Sequence, residues 1–172
     1  MKKKLLIFIF FAIGFNTYCQ PAIRIFAFEQ GSLPGTIPAG VKDENGNPIK
    51  KAAATTNYLV FLSFKKTNNI NPVQLFIKGR VFSIRAIIDR KTPVEYTDST
   101  IPNKPEKTIL IPQTKNKVIE VRATEMAEEP EKTSYVQKLT KTNDVVMFYT
   151  WNKKKYFITQ KRIKKLEPLV NE

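Results

Sequence analysis

The chain has 172 residues and a formal net charge of +14, from 29 Lys and Arg against 15 Asp and Glu. It contains no histidine and a single cysteine, which excludes Ser-His and Cys-His nucleophile pairs, histidine-ligated zinc and an intrachain disulfide. We therefore expect no enzymatic activity, no catalytic residue, no metal and no cofactor, and a fold stabilised by burial of its 12 Phe and 6 Tyr.

The N-terminus has the layout of a secretory signal. Lysines at 2–4 precede an apolar run with Ala and Gly at 5–15, and small side chains follow around Cys19. The run is shorter than the ~20 residues that span a bilayer, and a signal of this kind is removed after export. We predict that residues 1–19 are a signal peptide cut after Cys19.

A second interpretation of these residues stays open. If the cut falls before Cys19, that cysteine is lipidated and attaches the protein to a membrane leaflet, and membrane contact is expected only in this case. The start resembles export signals common in Bacteroidota, in which Gln often follows the cut. That resemblance implies the periplasm or the cell surface of a Gram-negative bacterium.

Residues 20–56 are predicted to combine a short strand with a turn-rich segment. Apolar residues dominate 22–28, which predicts the strand, and Gly, Pro and Asn are frequent in 30–50. Each proline in 30–50 removes a backbone donor, which excludes a long helix or an inner strand there.

Within this segment, residues 39–52 resemble the opening of carboxypeptidase-regulatory-like domains. Those exported sandwich modules often begin with a Val-x-Asp-x-x-Gly-x-Pro-aliphatic stretch that is soon followed by Ala. The matching residues are Val41, Asp43, Gly46, Pro48, Ile49 and Ala52. The resemblance implies a non-catalytic β-sandwich module.

The core strands begin at Tyr58. Residues 58–64 are apolar at both alternating sets of positions, which predicts a central strand covered on both sides. Residues 73–88 form a long β-prone run, and Gly79 marks a tight turn or a bulge within it. The apolar residues at 82, 84, 86 and 88 are expected on one face.

The next elements are shorter. Residues 108–111 predict a strand stopped by Pro112. Residues 118–124 alternate, so we expect Ile119, Val121 and Ala123 to point inward, and Glu120 and Arg122 to point outward.

The C-terminal part is predicted to mix helical turns with a hairpin. Helical spacing of Tyr135, Val136 and Leu139 predicts one short helix. Residues 145–151 and 156–159 are predicted to pair around a turn at 152–155. Ile163 and Leu166 suggest a last helical turn.

Together these elements predict an all-β fold for residues 57–172. The short strands and the absence of strand-helix alternation favour an antiparallel β-sandwich, Ig-like or related. It would have about seven strands with at most one or two short helices. A small barrel is the alternative, because the pattern does not count sheet edges.

The strongest binding signal is a basic stretch between residues 152 and 165, which contains no acid. Trp151, Tyr156 and Phe157 lie beside its cations, and a positive surface with aromatic side chains suits nucleic acid, lipid headgroups or acidic glycan. The competing interpretation is that the lysines protect a sheet edge from pairing with other chains. The candidate binding residues are Lys153, Lys154, Lys155, Lys161, Arg162, Lys164 and Lys165.

Two functions follow from these observations. The preferred hypothesis is a non-enzymatic exported protein that acts as an interaction or assembly component of a bacterial cell-envelope complex, with a protein partner in the envelope. The alternative is a polyanion-binding module that uses the Lys-rich C-terminal hairpin.

Overall fold

The structure is a computed structural model that describes residues 21–33, 45, 55–98, 106–126 and 132–170. These residues form ten β-strands and one α-helix. In chain order, the elements are β1 (Ile23–Leu33), β2 (Thr55–Phe64), β3 (Asn71–Ile77), β4 (Arg80–Arg90), β5 (Val94–Asp98), β6 (Glu106–Ile111), β7 (Lys117–Glu125), α1 (Ser134–Thr142), β8 (Val145–Trp151), β9 (Lys154–Gln160) and β10 (Lys164–Val170).

Eight strands form one curled sheet, a half-barrel, in the order β10-β1-β2-β7-β4-β3-β8-β9. β1 and β10 run parallel, and the other neighbours are antiparallel. β5 and β6 form a separate two-stranded sheet. The prediction of an all-β fold is confirmed, but an antiparallel sandwich is not, because the main sheet is single and mixed.

The main core lies on the inner face of the curl. Alternate residues of β8, namely Val145, Met147 and Tyr149, are fully buried in it, as a period-two strand requires. On the outer face, Val146 packs with partly buried residues of α1, and Phe61 of β2 packs with the β5–β6 pair. Covers on both faces explain why β2 and β8 are apolar at successive positions, as predicted for β2.

Two tight turns define the hairpins. Lys78 and Gly79 have φ of 50° and 80°, and Asn152 and Lys153 have φ of 48° and 61°. Two consecutive left-handed residues give the turn whose twist matches that of the paired strands. Gly79 is therefore in a turn between β3 and β4, one of its two predicted roles.

A bulge changes the predicted face of β4. The register with β7 shifts between Ile84 and Ala86, so that Ile87, and not Ile88, lies opposite the inward-facing Val121. Phe82 and Ile84 share one face as predicted, and both pack in the main core. The expectation of a single face continuing through 86 and 88 is wrong, because the extra residue inverts the alternation.

The C-terminal residues form a strand where a helical turn was expected. β10 pairs in parallel with β1, from Phe28 opposite Lys164 to Leu33 opposite Val170. Pro168 is tolerated because β10 is an edge strand, where a missing donor breaks no second ladder. The predicted helix is confirmed as α1, which Thr133 caps by accepting a hydrogen bond from the N–H of Val136.

The side chain of Gln160 joins the two sides of the curl. Its Oε1 accepts from the N–H of Ala27 at 2.9 Å, and its Nε2 donates to the C=O of Ala27 at 3.2 Å. The side-chain amide thus links β9 to β1 with two hydrogen bonds, as a main-chain amide does between paired strands. Residues 23–33 pair with β10 on one side and β2 on the other as the interior strand β1. The expectation of no inner strand in 30–50 is therefore wrong for 30–33, which come before the first proline of that segment.

Candidate functional site

The structure divides the predicted basic stretch into two groups. Lys153, Lys154 and Lys155 lie at the β8–β9 turn, whereas the remaining four candidates follow β9. β9 has seven residues and a strand rises ~3.3 Å per residue, so the groups lie about 20 Å apart. That separation exceeds the ~8 Å screening length at physiological salt, and the two groups lie at opposite ends of β9.

The second group lies on a different part of the surface. Lys161 and Arg162 are in the turn between β9 and β10, and Lys164 and Lys165 begin β10. All four are exposed. The Nζ of Lys164 lies 6.0 Å from the ring centre of Phe28, a contact that adds a local packing role to its charge.

The first group shares its end of the sheet with cations from other loops. β2 ends where β7 begins, since Phe64 is opposite Lys117, and β4 ends beside them, with Arg90 opposite Val118. The loop after β2 leads to Asn71, which is opposite Thr150 near the β8–β9 turn. We call this surface the basic end; its cations are Lys65, Lys66, Arg90, Lys91, Lys115, Lys117, Lys153, Lys154 and Lys155.

A cleft of about 400 Å³ opens within the basic end. Lys66, Arg90, Lys91 and Lys117 line it, and Asp89 is the carboxylate among its described lining residues. The Nζ of Lys117 lies 3.1 Å from Oδ1 of Asp89. Arg90 pairs with Glu120, so two of the four cations, Lys66 and Lys91, form no salt bridge within the described residues.

Hydrogen bonds hold the loops of this cleft in place. The hydroxyl of Thr92 donates to the C=O of Thr114 and accepts from its N–H, both at 3.2 Å. The N–H of Asn116 donates to the Thr114 hydroxyl at 3.2 Å. These contacts join the loop after β4 to the loop before β7, so that the cations of both loops have fixed neighbours.

Glu120 is the buried carboxylate beneath this end. It points to the outer face as predicted, but only 5% of it is exposed. It pairs with Arg90 and with Arg122, whose Nε donates to its Oε1 at 2.9 Å. Burial acts to raise the pKa of Glu120, but the hydrogen bonds from Arg122 and Arg90 outweigh it, and the pKa lies below its ordinary value.

At the opposite end of the sheet, Lys78 and Arg80 meet carboxylates. Lys78 Nζ donates to both oxygens of Glu29, at 2.8 and 2.6 Å. Arg80 Nη1 lies 2.9 Å from each oxygen of Glu125, and its Nη2 donates to the Tyr58 hydroxyl at 3.2 Å. The hydrogen bond to Glu29 raises the pKa of Lys78, and the charge of Glu125 raises the pKa of Arg80.

A second opening splits the sheet itself. β2 pairs with β7 between Val60 and Phe64, although β2 begins at Thr55 and β7 continues to Glu125. The segments Thr55–Leu59 and Arg122–Glu125 diverge, and both line a cleft of about 760 Å³. We call this opening the sheet fork.

The sequence patterns did not predict that the basic loops meet at one end of the sheet, and they did not predict the sheet fork. Each basic pair, such as Lys65-Lys66 or Arg90-Lys91, is ordinary as a strand terminus. The recurrence of basic residues at three strand boundaries could have indicated a shared basic surface. The Glu120-x-Arg122 spacing, which puts opposite charges on one strand face, could have indicated the ion pair.

Some predictions from the sequence concern residues that the structure does not describe, and others are not tested by it. Cys19 and all the residues that carry the 39–52 resemblance fall outside the described residues. Within the described part of the chain, no three His, Cys, Asp or Glu side chains are grouped to hold a metal. No helix there is long and apolar enough to cross a membrane.

Comparisons with known proteins give no identity. No protein-family model, no curated protein sequence and no solved structure matches the chain. Any function must therefore be argued from the charges and edges described above.

Proposed function

We propose that this protein is a non-enzymatic exported component of a bacterial envelope that docks on a polyanionic surface through the basic end. The observation that carries the proposal is the meeting of cations from three strand boundaries and the β8–β9 turn at one end of the sheet. A concentration of one charge sign attracts polyanions and is weakened by salt.

The kind of cation at the basic end favours binding to an extended anionic surface over recognition of one small ligand of defined shape. The basic end holds lysines and one arginine, Arg90, which is already paired with Glu120. Lysine is a point charge on a flexible stem, whereas arginine supplies the planar fork that bidentate recognition uses. Contacts through lysine therefore suit a dense array of phosphates or carboxylates.

Under the second interpretation of the N-terminus, in which Cys19 is lipidated, its position favours anionic lipid as that array. β1 begins at the basic end, because Ile23 is opposite Phe64. Cys19 precedes Ile23 by four residues, a reach of at most about 14 Å. If Cys19 is lipidated, the acyl anchor and the basic end would engage one leaflet together, the two signals that stable membrane attachment needs.

Vesicle sedimentation tests this proposal. The purified chain is mixed with vesicles of phosphatidylcholine, with or without 30% phosphatidylglycerol as a working composition, over a series of salt concentrations. We expect binding to the anionic vesicles that falls with salt. The variant K65E/K66E/K91E should lose at least ~100-fold in affinity, since each lysine near an anionic surface contributes about 1 kcal/mol.

A matched variant separates the site from net charge. K161E/R162E/K165E makes the same change in charge in the other basic group, and it should retain most of the binding. Equal losses in the two variants would refute the assignment to the basic end. Retention on heparin without vesicle binding would instead assign the basic end to acidic glycan.

The assembly role is the second candidate function, and the sheet fork is the observation that favours it. Unpaired strand edges are sites at which proteins add a strand from a partner. The kind of partner that fits the fork is argued next.

A further inference from the structure

The direction of the backbone groups in β1 can be established from Gln160. In an antiparallel sheet, the N–H and C=O of one residue point to the same neighbour, and those of the next residue point the other way. Ala27 directs both groups at the Gln160 side chain, which lies away from β2. Val60, which is opposite Ala27, therefore directs its own groups away from β1 and toward β7.

The same alternation identifies the groups that face the fork. Thr56 and Tyr58 share the direction of Val60 and point into it. Val121 is opposite Val60, so Ala123 and Glu125 point into the fork from the other side. The N–H of Met126, which should point away from the fork, does donate to the C=O of Val81 at 3.0 Å.

These edges lack a strand partner within the described residues. Val60 and Val121 form the last pair of the β2–β7 ladder, and beyond them no pairing joins the two strands. Main-chain donors and acceptors require partners, and an extended peptide supplies both kinds at the spacing of a strand.

We infer that the sheet fork binds the carboxyl-terminal end of an extended partner polypeptide. A chain lying between β2 and β7 points at the closed end of the fork, where Val60 meets Val121. A chain terminus can end there, whereas a continuing chain would have to leave the sheet.

The charge at the closed end favours a carboxylate. Glu120 is shared by Arg90 and Arg122, so one carboxylate faces two guanidinium groups. Arg122 also lines the fork, and its side chain is 58% exposed. A terminal carboxylate beside Arg122 would balance the remaining positive charge, and arginine binds carboxylates with favourable geometry.

The inner wall of the fork suits an apolar side chain near that terminus. The rings of Tyr58 and Phe82 lie edge to face with centres 5.6 Å apart, and Ala123 lines the fork beside them. An inward-facing residue of the bound peptide would contact this wall. This inference stands on the fork alone and does not depend on polyanion binding at the basic end.

Hydrogen exchange of the unliganded protein is the first test. In the full chain purified from the cells that export it, the amides of Tyr58 and Ala123 should exchange at least ~100-fold faster than those of Leu62 and Ile119, which lie in the closed ladder. Slow exchange at Tyr58 and Ala123 would mean that these edges are already paired, and would overturn the inference.

A peptide pool is the second test. We would add random tetrapeptides with a free carboxylate at 1 mM total, and the same pool with an amidated C-terminus. Protection of Tyr58 and Ala123 by the first pool and not by the second is expected. Equal protection by both pools, or by neither, would overturn the assignment to a carboxyl terminus.

Arginine variants locate the carboxylate. R122Q should reduce the protection by at least ~10-fold, while R85Q, an exposed arginine at the bulge of β4, should leave it unchanged. Equal effects of the two changes would mean that general charge, and not Arg122, is responsible. Loss of vesicle binding by K65E/K66E/K91E without loss of peptide protection would show that the fork and the basic end act independently.

Discussion

The two ends of the curled sheet use charge in opposite ways. At the end that holds the β3–β4 turn, Lys78 and Arg80 each lie within 3 Å of a carboxylate. At the basic end, Asp89 is the carboxylate among the described residues around the cleft. Lys117 pairs with Asp89 there, whereas Lys66 and Lys91 form no salt bridge within the described residues, so these two lysines gain no folding stability from an ion pair. The contrast is between cations that pair within the fold and cations that the proposed docking would use.

Main-chain contacts agree with that distinction. The N–H of Lys78 donates to the C=O of Asp144 at 2.6 Å, and the N–H of Asp144 donates to the C=O of Lys161 at 3.1 Å. The carboxylate of Asp144 also accepts from the N–H of Ile163 at 2.9 Å. These bonds join three turns at the end that holds the β3–β4 turn, next to the hydrogen bonds between Gln160 and Ala27.

The substitution with the largest expected effect on stability is Gln160→Leu. The change keeps the approximate size of the side chain but leaves the N–H and C=O of Ala27, which is 0% exposed, without their partner. Each unsatisfied buried group costs about 1–3 kcal/mol, so the free energy of unfolding should fall by about 3 kcal/mol. Urea unfolding monitored by Trp151 fluorescence measures it.

The control for that variant is at the basic end. Gln113 is an exposed residue that lines the cleft there, and Gln113→Leu should change the stability by less than about 0.5 kcal/mol. A similar loss of unfolding free energy in the two glutamine variants would contradict the idea that the contact of Gln160 with Ala27 stabilises the curled sheet.

The next test concerns Glu120, the buried carboxylate beneath the basic end. Its pKa is lowered from 4.5 in the fold, so the carboxylate stabilises the fold above that ordinary value, and this stabilisation is lost as the pH falls through the lowered pKa. Glu120→Gln should therefore cost about 2 kcal/mol at pH 7, and the difference from the parent should shrink below about pH 4.5.

Unfolding free energies at pH 7, 5 and 3 check that expectation. Glu95→Gln serves as the comparison, because Glu95 is more exposed and pairs with Lys107 at 3.3 Å; exposed pairs of this kind contribute about 0–1 kcal/mol. A cost for Glu120→Gln that stays constant from pH 7 to 3 would refute the ion-pair explanation.

Local patterns predicted the strands well, for a physical reason. The alternation in residues 118–124 and the apolar run in 58–64 reflect contacts made by neighbouring residues, and the structure confirms both strands. The turn at 152–155 was predicted from its position between strands. What determines such elements lies within a few residues of each position.

The curl and the sites depend on distant pairings. β10 was missed because its pairing with β1 joins residues more than 130 positions apart, and apolar positions at 163 and 166 also fit a helix. The basic end depends on which strand termini meet, and hence on strand order. The predicted basic stretch was contiguous in sequence, but β9 extends through its middle and separates its two halves.

The smallest expected effect compares one lysine from each end. Lys78→Gln removes the pair with Glu29 at the end that holds the β3–β4 turn, and it should cost about 0.5 kcal/mol, the usual range for an exposed pair. Lys91→Gln at the basic end removes a repelling charge, and it should leave the stability unchanged or raise it by a few tenths of a kcal/mol. Added salt at 1 M should bring both variants closer to the parent, because it screens attraction and repulsion alike. Urea unfolding at low and high salt measures these differences, and a destabilisation by Lys91→Gln equal to that of Lys78→Gln would mean that Lys91 is also held by a stabilising contact.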